Sequence, residues 1–204
     1  MQKFTVHTGR TVPLRQSNVD TDQIIPAEYL KRVTRTGFAD GLFAVWRDNP
    51  DFVLNRPEWR GADVLVAGPE FGTGSSREHA VWALQDHGFK AVLSSRFADI
   101  FHSNSLKAGL PAVVLPQPQI ERIWQLAEWD PTIELTVDLV ERQVRLADEV
   151  FAFEIDEHSR RRLLEGVDDI AQTLLTSLPD VEAFEQRRQS FLPRTILAKD
   201  LSRN

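Results

Sequence analysis

"ADVLVAGPEFGTGSSREHAVWALQDHG", residues 62–88, is the stretch on which the fold turns. Its opening "ADVLVAG" is an apolar run of the length of a buried strand. "GPEFGTG" turns the chain, and "SSREHAVWALQDHG" then carries Ala80, Val81, Trp82 and Leu84 at helical spacing before Gly88 closes the helix. A strand feeding a glycine-rich turn that opens a helix is the building unit of an α/β domain. The alternation continues downstream with "AVLSS", the helix-like "FADIFHSNSLKAG", "PAVVLP" and "QPQIERIWQLAEWD". Upstream, the chain to about Ile25 reads as strand and turn, "PAEYLKRV" as a short helix, and "TRTGFADG" as a polar, glycine-bounded loop.

Beyond Pro131 the pattern changes to the short strands "TIELTVDL", "RQVRLA" and "VFAFEI", followed by the helical stretches "DEHSRRRLLEG" and "DDIAQTLLTS". "PDVEAFEQRRQSFL" reads as a solvated C-terminal helix. The predicted architecture is α/β: one layered β/β/α domain over residues 1–176, and a C-terminal helix and tail over 177–204.

Composition narrows the function. At 204 residues the chain is long enough for one well-buried core. Its net charge of -6 comes from interspersed acids and bases, with none of the basic stripe that phosphate-backbone binding requires, so nucleic acid is not an expected partner. No apolar run approaches the roughly 20 residues that span a bilayer, and the start "MQKFTVHTGR" lacks the apolar stretch of a signal peptide, so no membrane association and a cytoplasmic location are expected. There is no cysteine, which excludes disulfides, thiol nucleophiles and a cysteine-ligated iron-sulfur cluster held by this chain alone.

The turn fits none of three familiar loops. No lysine follows Gly74 as a Walker loop demands, Arg77 stands where a dinucleotide fingerprint needs its third glycine, and "GSSRE" lacks the spacing of a hydrolase elbow. What remains is physical: glycines let the backbone approach a ligand, and a helix start offers unpaired N–H groups to an anion. A plainer alternative stands beside it, in which Ser75 or Ser76 caps the helix and Glu78 completes a capping box.

"FGTGSSREHA" resembles the serine-serine-arginine-glutamate-histidine signature of the small, swivelling domain of the aconitase superfamily. "SNVDTDQIIPAEYLK" before it and "SSRFADIFHSNSLKAGLPAVVLP" after it are similar, in order and spacing, to the small-subunit family of 3-isopropylmalate dehydratases. Together the three segments cover most of the first 116 residues. Thr73 stands where many relatives carry cysteine. The resemblance implies the layered β/β/α swivelling fold of the aconitase C-terminal domain. It also implies a hydro-lyase subunit of leucine biosynthesis that isomerises 2-isopropylmalate and 3-isopropylmalate through isopropylmaleate. A large partner subunit would carry a [4Fe-4S] cluster, and this chain would hold no metal.

The resemblance further implies residue roles. Ser75 matches the family's base, acting as an alkoxide, and Asp22 its active-site acid, which orients the serine or an arginine. Ser76 and Arg77 match groups that bind the dicarboxylate substrate. Tyr29, Leu30 and Lys31 lie where relatives carry a motif that selects the substrate side group. Lowering an aliphatic hydroxyl pKa by on the order of 6 to 8 units requires about 8 to 11 kcal/mol at ~1.36 kcal/mol per unit. One oxyanion donor contributes roughly 3 kcal/mol, so several N–H groups of Gly72, Thr73, Gly74 and the helix start would have to converge with a guanidinium. Asp20 is open between function and simple turn chemistry. Glu78 and His79 read as supporting residues, Asn104 as structural, and Trp124 and Trp129 as core or interface. Competing functions are a small subunit of a related hydro-lyase acting on methylmalate or homoaconitate-type acids, a stand-alone serine hydrolase using Ser75 and His79, and a non-catalytic anion-binding module.

Overall fold

The structure, a computed structural model, describes residues 1–167, 169–189 and 191, with the backbone alone over 169–176. Strand β1 (Val6–Leu14) leads through the short helix α1 (Thr21–Ile24), a turn of 3-10 helix (Ala27–Lys31) and α2 (Ala44–Arg47) to β2 (Val64–Ala67) and α3 (Glu78–His87). The alternation then runs β3 (Ala91–Ser94), α4 (Asp99–Ala108), β4 (Ala112–Val114) and α5 (Gln117–Trp129). A ribbon of β5 (Glu134–Asp138), β6 (Gln143–Leu146) and β7 (Glu149–Ala152) follows, then α6 (Glu157–Glu165) and α7 (Asp169–Arg187). The α/β class and the order of strands and helices match the sequence pattern.

The described strands form one sheet in the order β4-β3-β2-β1-β5-β6-β7. Strand β1 joins its two halves. Thr11–Leu14 pair parallel with β2, whereas Val6–Arg10 pair antiparallel with β5. Pro13, which has no N–H to give a ladder, lies beyond Arg10, where among the described residues only β2 pairs with the strand.

Strands β2 and β3 are buried along their whole length because both faces are covered. Alternate residues point to opposite sides: Leu65 and Ala67 join a core with Ala80, Val81, Ala83 and Leu84 of α3, while Val64 and Val66 join one with Ile120, Ile123 and Trp124 of α5. Trp124 also donates its indole N–H to the Val66 carbonyl at 2.8 Å, so it is a core residue as expected. Trp129 is 88% exposed and belongs to no core.

Three local expectations need correction. Helix α3 starts at Glu78, not at the serines, because Arg77 at its N-cap is extended (φ -133°, ψ 105°). The two helical stretches expected separately after Gly166 lie, over the described residues, in one helix, α7 (Asp169–Arg187), which continues through Pro179; Asp169 also begins a second compact unit. Residues 44–59, which carried no sequence signal, form α2 and 3-10 turns at Val53–Asn55 and Pro57–Trp59. The part of the expected tail at 192–204 lies outside the described residues.

At the far end of α3, Gly88 (φ 116°) closes the helix and His87 packs against Phe89. Burial, with repulsion from the Arg47 guanidinium 3.2 Å from its ring, pushes His87 down from 6.5 to about 4. The neutral ring is therefore favoured in the native state, and its contribution is whole above about pH 6.5 and lost as pH falls towards 4. Reduced for partial exposure, that loss should be on the order of 2 kcal/mol. Urea unfolding at pH 7 and pH 4.5 checks it: His87→Gln should lose less stability than wild type over this interval, and an equal loss would remove His87 as the cause.

Candidate active site

Two chain segments, 19–24 and 71–77, are stitched together by main-chain bonds. The Val19 carbonyl accepts from the N–H groups of Gly72 (2.7 Å) and Thr73 (3.1 Å), and Thr21 N–H donates to the Thr73 carbonyl at 2.8 Å. The buried Thr21 hydroxyl adds a bond to the Ser75 carbonyl at 3.0 Å. The apolar anchors behind this seam are Ile24 and Ile25, both fully buried, and Phe71.

These bonds correct one part of the donor assignment. Gly72 and Thr73 cannot offer N–H groups to an oxyanion, because both are committed to Val19. Among the described residues Gly74, Ser75 and Ser76 donate to no backbone carbonyl, and the first N–H groups of α3 lack intrahelical partners by construction. The free donors thus start at Gly74 and continue into the helix.

Gly72 and Gly74 serve different ends. Both have left-handed backbones, φ +84° and +88°. A Cβ on Gly72 would lie 2.2 Å from the Phe101 ring of α4, whereas one on Gly74 would meet nothing closer than 3.5 Å. The turn is therefore seated on α4 at Gly72 and open at Gly74.

Ser75 and Ser76 are exposed, and neither caps α3, which has no side-chain cap bond. The capping-box alternative is thereby removed. Arg77 folds back onto Asp22: Nη1 bonds Oδ1, and Nη2 bonds Oδ2 at 3.0 Å, a two-pronged pair. The Arg77 side chain is 16% exposed and that of Asp22 57%, so the guanidinium is held in the surface with its carboxylate partner outermost. Asp20 resolves to turn chemistry, since its Oδ1 accepts from Gln23 N–H at 2.8 Å while Gln23 returns a bond to Asp20 N–H, a capping box on α1.

His79 makes an edge contact with Phe38 (5.3 Å between ring centres) and lies 4.7 Å from the Trp82 ring, with no hydrogen bond to Ser75; no serine-histidine dyad is formed. His102 bonds the Ala112 carbonyl at 3.0 Å, a structural role. Tyr29 and Leu30 are half-buried against the core, Lys31 is exposed, and no hydrogen bond or ion pair joins these three to the serine turn. Arg32 lies 4.8 Å over the Tyr29 ring and pairs with Asp40 at 2.7 Å, a contact that holds the Asp40 carboxyl below its usual range and closes the base of the exposed loop 33–37. Phe38 N–H, bonded to Asp86 at 2.9 Å, fixes the other end of that loop on α3.

Asn104, read from sequence as structural, lies beside the serine turn. Its amide nitrogen stands 3.5 Å from the Ser76 hydroxyl oxygen. A polar, helix-disfavouring residue in mid-helix, three positions after the Phe101 that seats Gly72, was the available signal.

Chemically, the arrangement offers exposed hydroxyls, unpaired N–H donors and a fixed guanidinium on one rigid edge, a surface for a polyanionic organic acid. Among the described residues no group of three or more His, Cys, Asp or Glu could hold a metal ion.

The chain is similar to known proteins. A family model described as the Aconitase C-terminal domain matches residues 1–118, and the LeuD_N model matches 121–157. The 3-isopropylmalate dehydratase small subunit of Thermobifida fusca is 67% identical over 195 residues, 96% of this chain and 100% of that protein. That of Streptomyces griseus is 64% identical over 198 residues, 97% of this chain and 100% of the relative. The crystal structure of 3-isopropylmalate dehydratase from Methanocaldococcus jannaschii superposes with a TM-score of 0.65 at 26% identity, covering 88% of this chain and 99% of that one.

Proposed function

The chain belongs to the family of 3-isopropylmalate dehydratase small subunits, within the aconitase C-terminal domain family, and from that membership we propose how its residues serve the hydro-lyase reaction. The substrate is 2-isopropylmalate, interconverted with 3-isopropylmalate through the unsaturated isopropylmaleate. A hydroxyl must leave and a carbon-bound proton must be taken, and the same groups act in reverse when water returns at the other carbon.

Ser75 is the base. Among the described residues its exposed hydroxyl caps no helix and bonds no other group, and the unpaired N–H groups from Gly74 onward stabilise its alkoxide. Ser76 donates to a substrate oxygen. Asp22 holds the Nη1–Nη2 edge of Arg77, which leaves the Nε–H edge for a substrate carboxylate, a fork that lysine cannot reproduce. Leu30 and Lys31 are the side-group selectors, carried over the site by the loop when substrate binds. The single observation that carries this reading is a pair of exposed serine hydroxyls, free of capping duty, beside a guanidinium clamped by a carboxylate.

Departure of the hydroxyl calls for a Lewis acid, which a [4Fe-4S] cluster supplies when bound. This chain has no cysteine and does not fit such a cluster, so in our proposal the cluster belongs to a large partner subunit and the enzyme works in the cytoplasm. The test is reconstitution. This chain and a cluster-loaded large subunit are each expected to be inactive alone and to form together, from 2-isopropylmalate, the absorbance of the unsaturated intermediate. Turnover by this chain alone would overturn the assignment.

A further inference from the structure

Resting on the substrate-binding role of Ser76 just proposed, we infer that Asn104 is a positioning residue that fixes the direction of the Ser76 hydroxyl proton. A serine hydroxyl carries one proton and two lone pairs, and its rotor turns to whatever acceptor is near. Here the Asn104 side-chain N–H donates to Ser76 Oγ at 3.5 Å. With a lone pair engaged from the α4 side, the hydroxyl proton is turned away from α4 and toward the open face of the turn, where a substrate oxygen can accept it. The contact is at the long end of the range, as catalytic hydrogen bonds often are before substrate draws them in.

The amide is well placed to act this way because α4 is locked. Phe101 fills the space left by the missing side chain of Gly72 and stacks edge-on against Phe71 at 5.2 Å. His102 ties the helix to the Ala112 carbonyl, and the buried Ser105 hydroxyl donates to the Phe101 carbonyl at 2.8 Å. Asn104 itself makes no other side-chain hydrogen bond among the described residues. The helix therefore holds a donor at fixed position over one serine of the pair. Ser75 receives no such donor, and its hydroxyl is free to lose its proton. The two adjacent hydroxyls thereby have different tasks: one is directed outward as a donor, the other is left for the base.

The experiment is a double-mutant cycle on the reconstituted two-subunit enzyme, with KM and kcat measured for wild type, Asn104→Ala, Ser76→Ala and the double variant. Asn104→Ala should raise KM by about 5- to 10-fold with kcat changed less than 2-fold, the loss of one oriented hydrogen bond. On the Ser76→Ala background the same change should add less than 2-fold, because the group it orients is gone. Asn104→Leu, which favours the helix while deleting the donor, repeats the cycle if the alanine variant assembles poorly. Effects that multiply in the double variant overturn the inference, as does a wild-type KM in Asn104→Ala and Asn104→Leu, or a KM raised by Asn104→Ala but untouched by Ser76→Ala. Ser75→Ala, run in parallel, separates the two levels. If it abolishes turnover while the cycle is additive, only the role of Asn104 falls; if it leaves turnover intact, the assignment of the site falls.

Discussion

Reconstituted enzyme carrying Ser75→Ala should lose turnover by about 10³-fold or more while KM stays within a few-fold of wild type. Removing a positioned base costs typically 10²- to 10⁴-fold, and nothing nearby can replace it. His79 is engaged with Phe38 and Trp82, and Asp22 is spent on Arg77. Ser76 carries the only other hydroxyl of the pair and is committed as a donor by Asn104. The methyl group left behind disturbs little, because the Ser75 side chain is exposed and makes no hydrogen bond among the described residues; the turn is held instead through the Ser75 carbonyl, which alanine retains. An unchanged urea midpoint with lost turnover is therefore the expected pair of results. Turnover within 10-fold of wild type would show that the proton goes elsewhere.

Gly72→Ala should be nearly as damaging for a different reason. Alanine must adopt φ +84°, and its methyl carbon would sit 2.2 Å from the Phe101 ring, so α4 or the turn has to move. Left-handed strain and overpacking together should lower stability by about 3 kcal/mol, and displacement of the Ser75 turn by even 1 Å should cost ~10²-fold in rate. Gly74→Ala is the control. It has the same backbone sign with open space around it, and should lose about 1 kcal/mol. Urea midpoints of the two variants measured side by side decide the matter: equal losses would mean that backbone conformation alone, and not the contact with α4, fixes the turn.

Much of this was legible in the sequence for identifiable reasons. The run "VLVA" is buried on both faces and reads as apolar throughout, and Gly88 marks the end of α3 as plainly as it terminates the helix in space. Other features depend on partners far along the chain. The spacing of Ser75 and Glu78 fits a capping box, but the seam to residues 19–21 draws the serines out of the helix and leaves Arg77 extended at its start. The same seam takes up the N–H groups of Gly72 and Thr73, which no local pattern reveals. Asp20 and Asp22 are two positions apart and look equivalent in sequence, yet one caps α1 and the other meets a guanidinium 55 residues later. The contact of Asn104 with Ser76 shows only when α4 is laid beside the turn.

The double allegiance of β1 also bears on how the molecule is made. Thr11–Leu14 find their neighbour once β2 has been synthesised, but Val6–Arg10 wait for residues 134–138. On the ribosome β1 thus emerges well before it can be completed, and its unpaired amides stay available to a stray strand or a chaperone until β5 arrives. Closing so long a loop adds entropic cost to the completion of the sheet, as non-local strand pairing does in general.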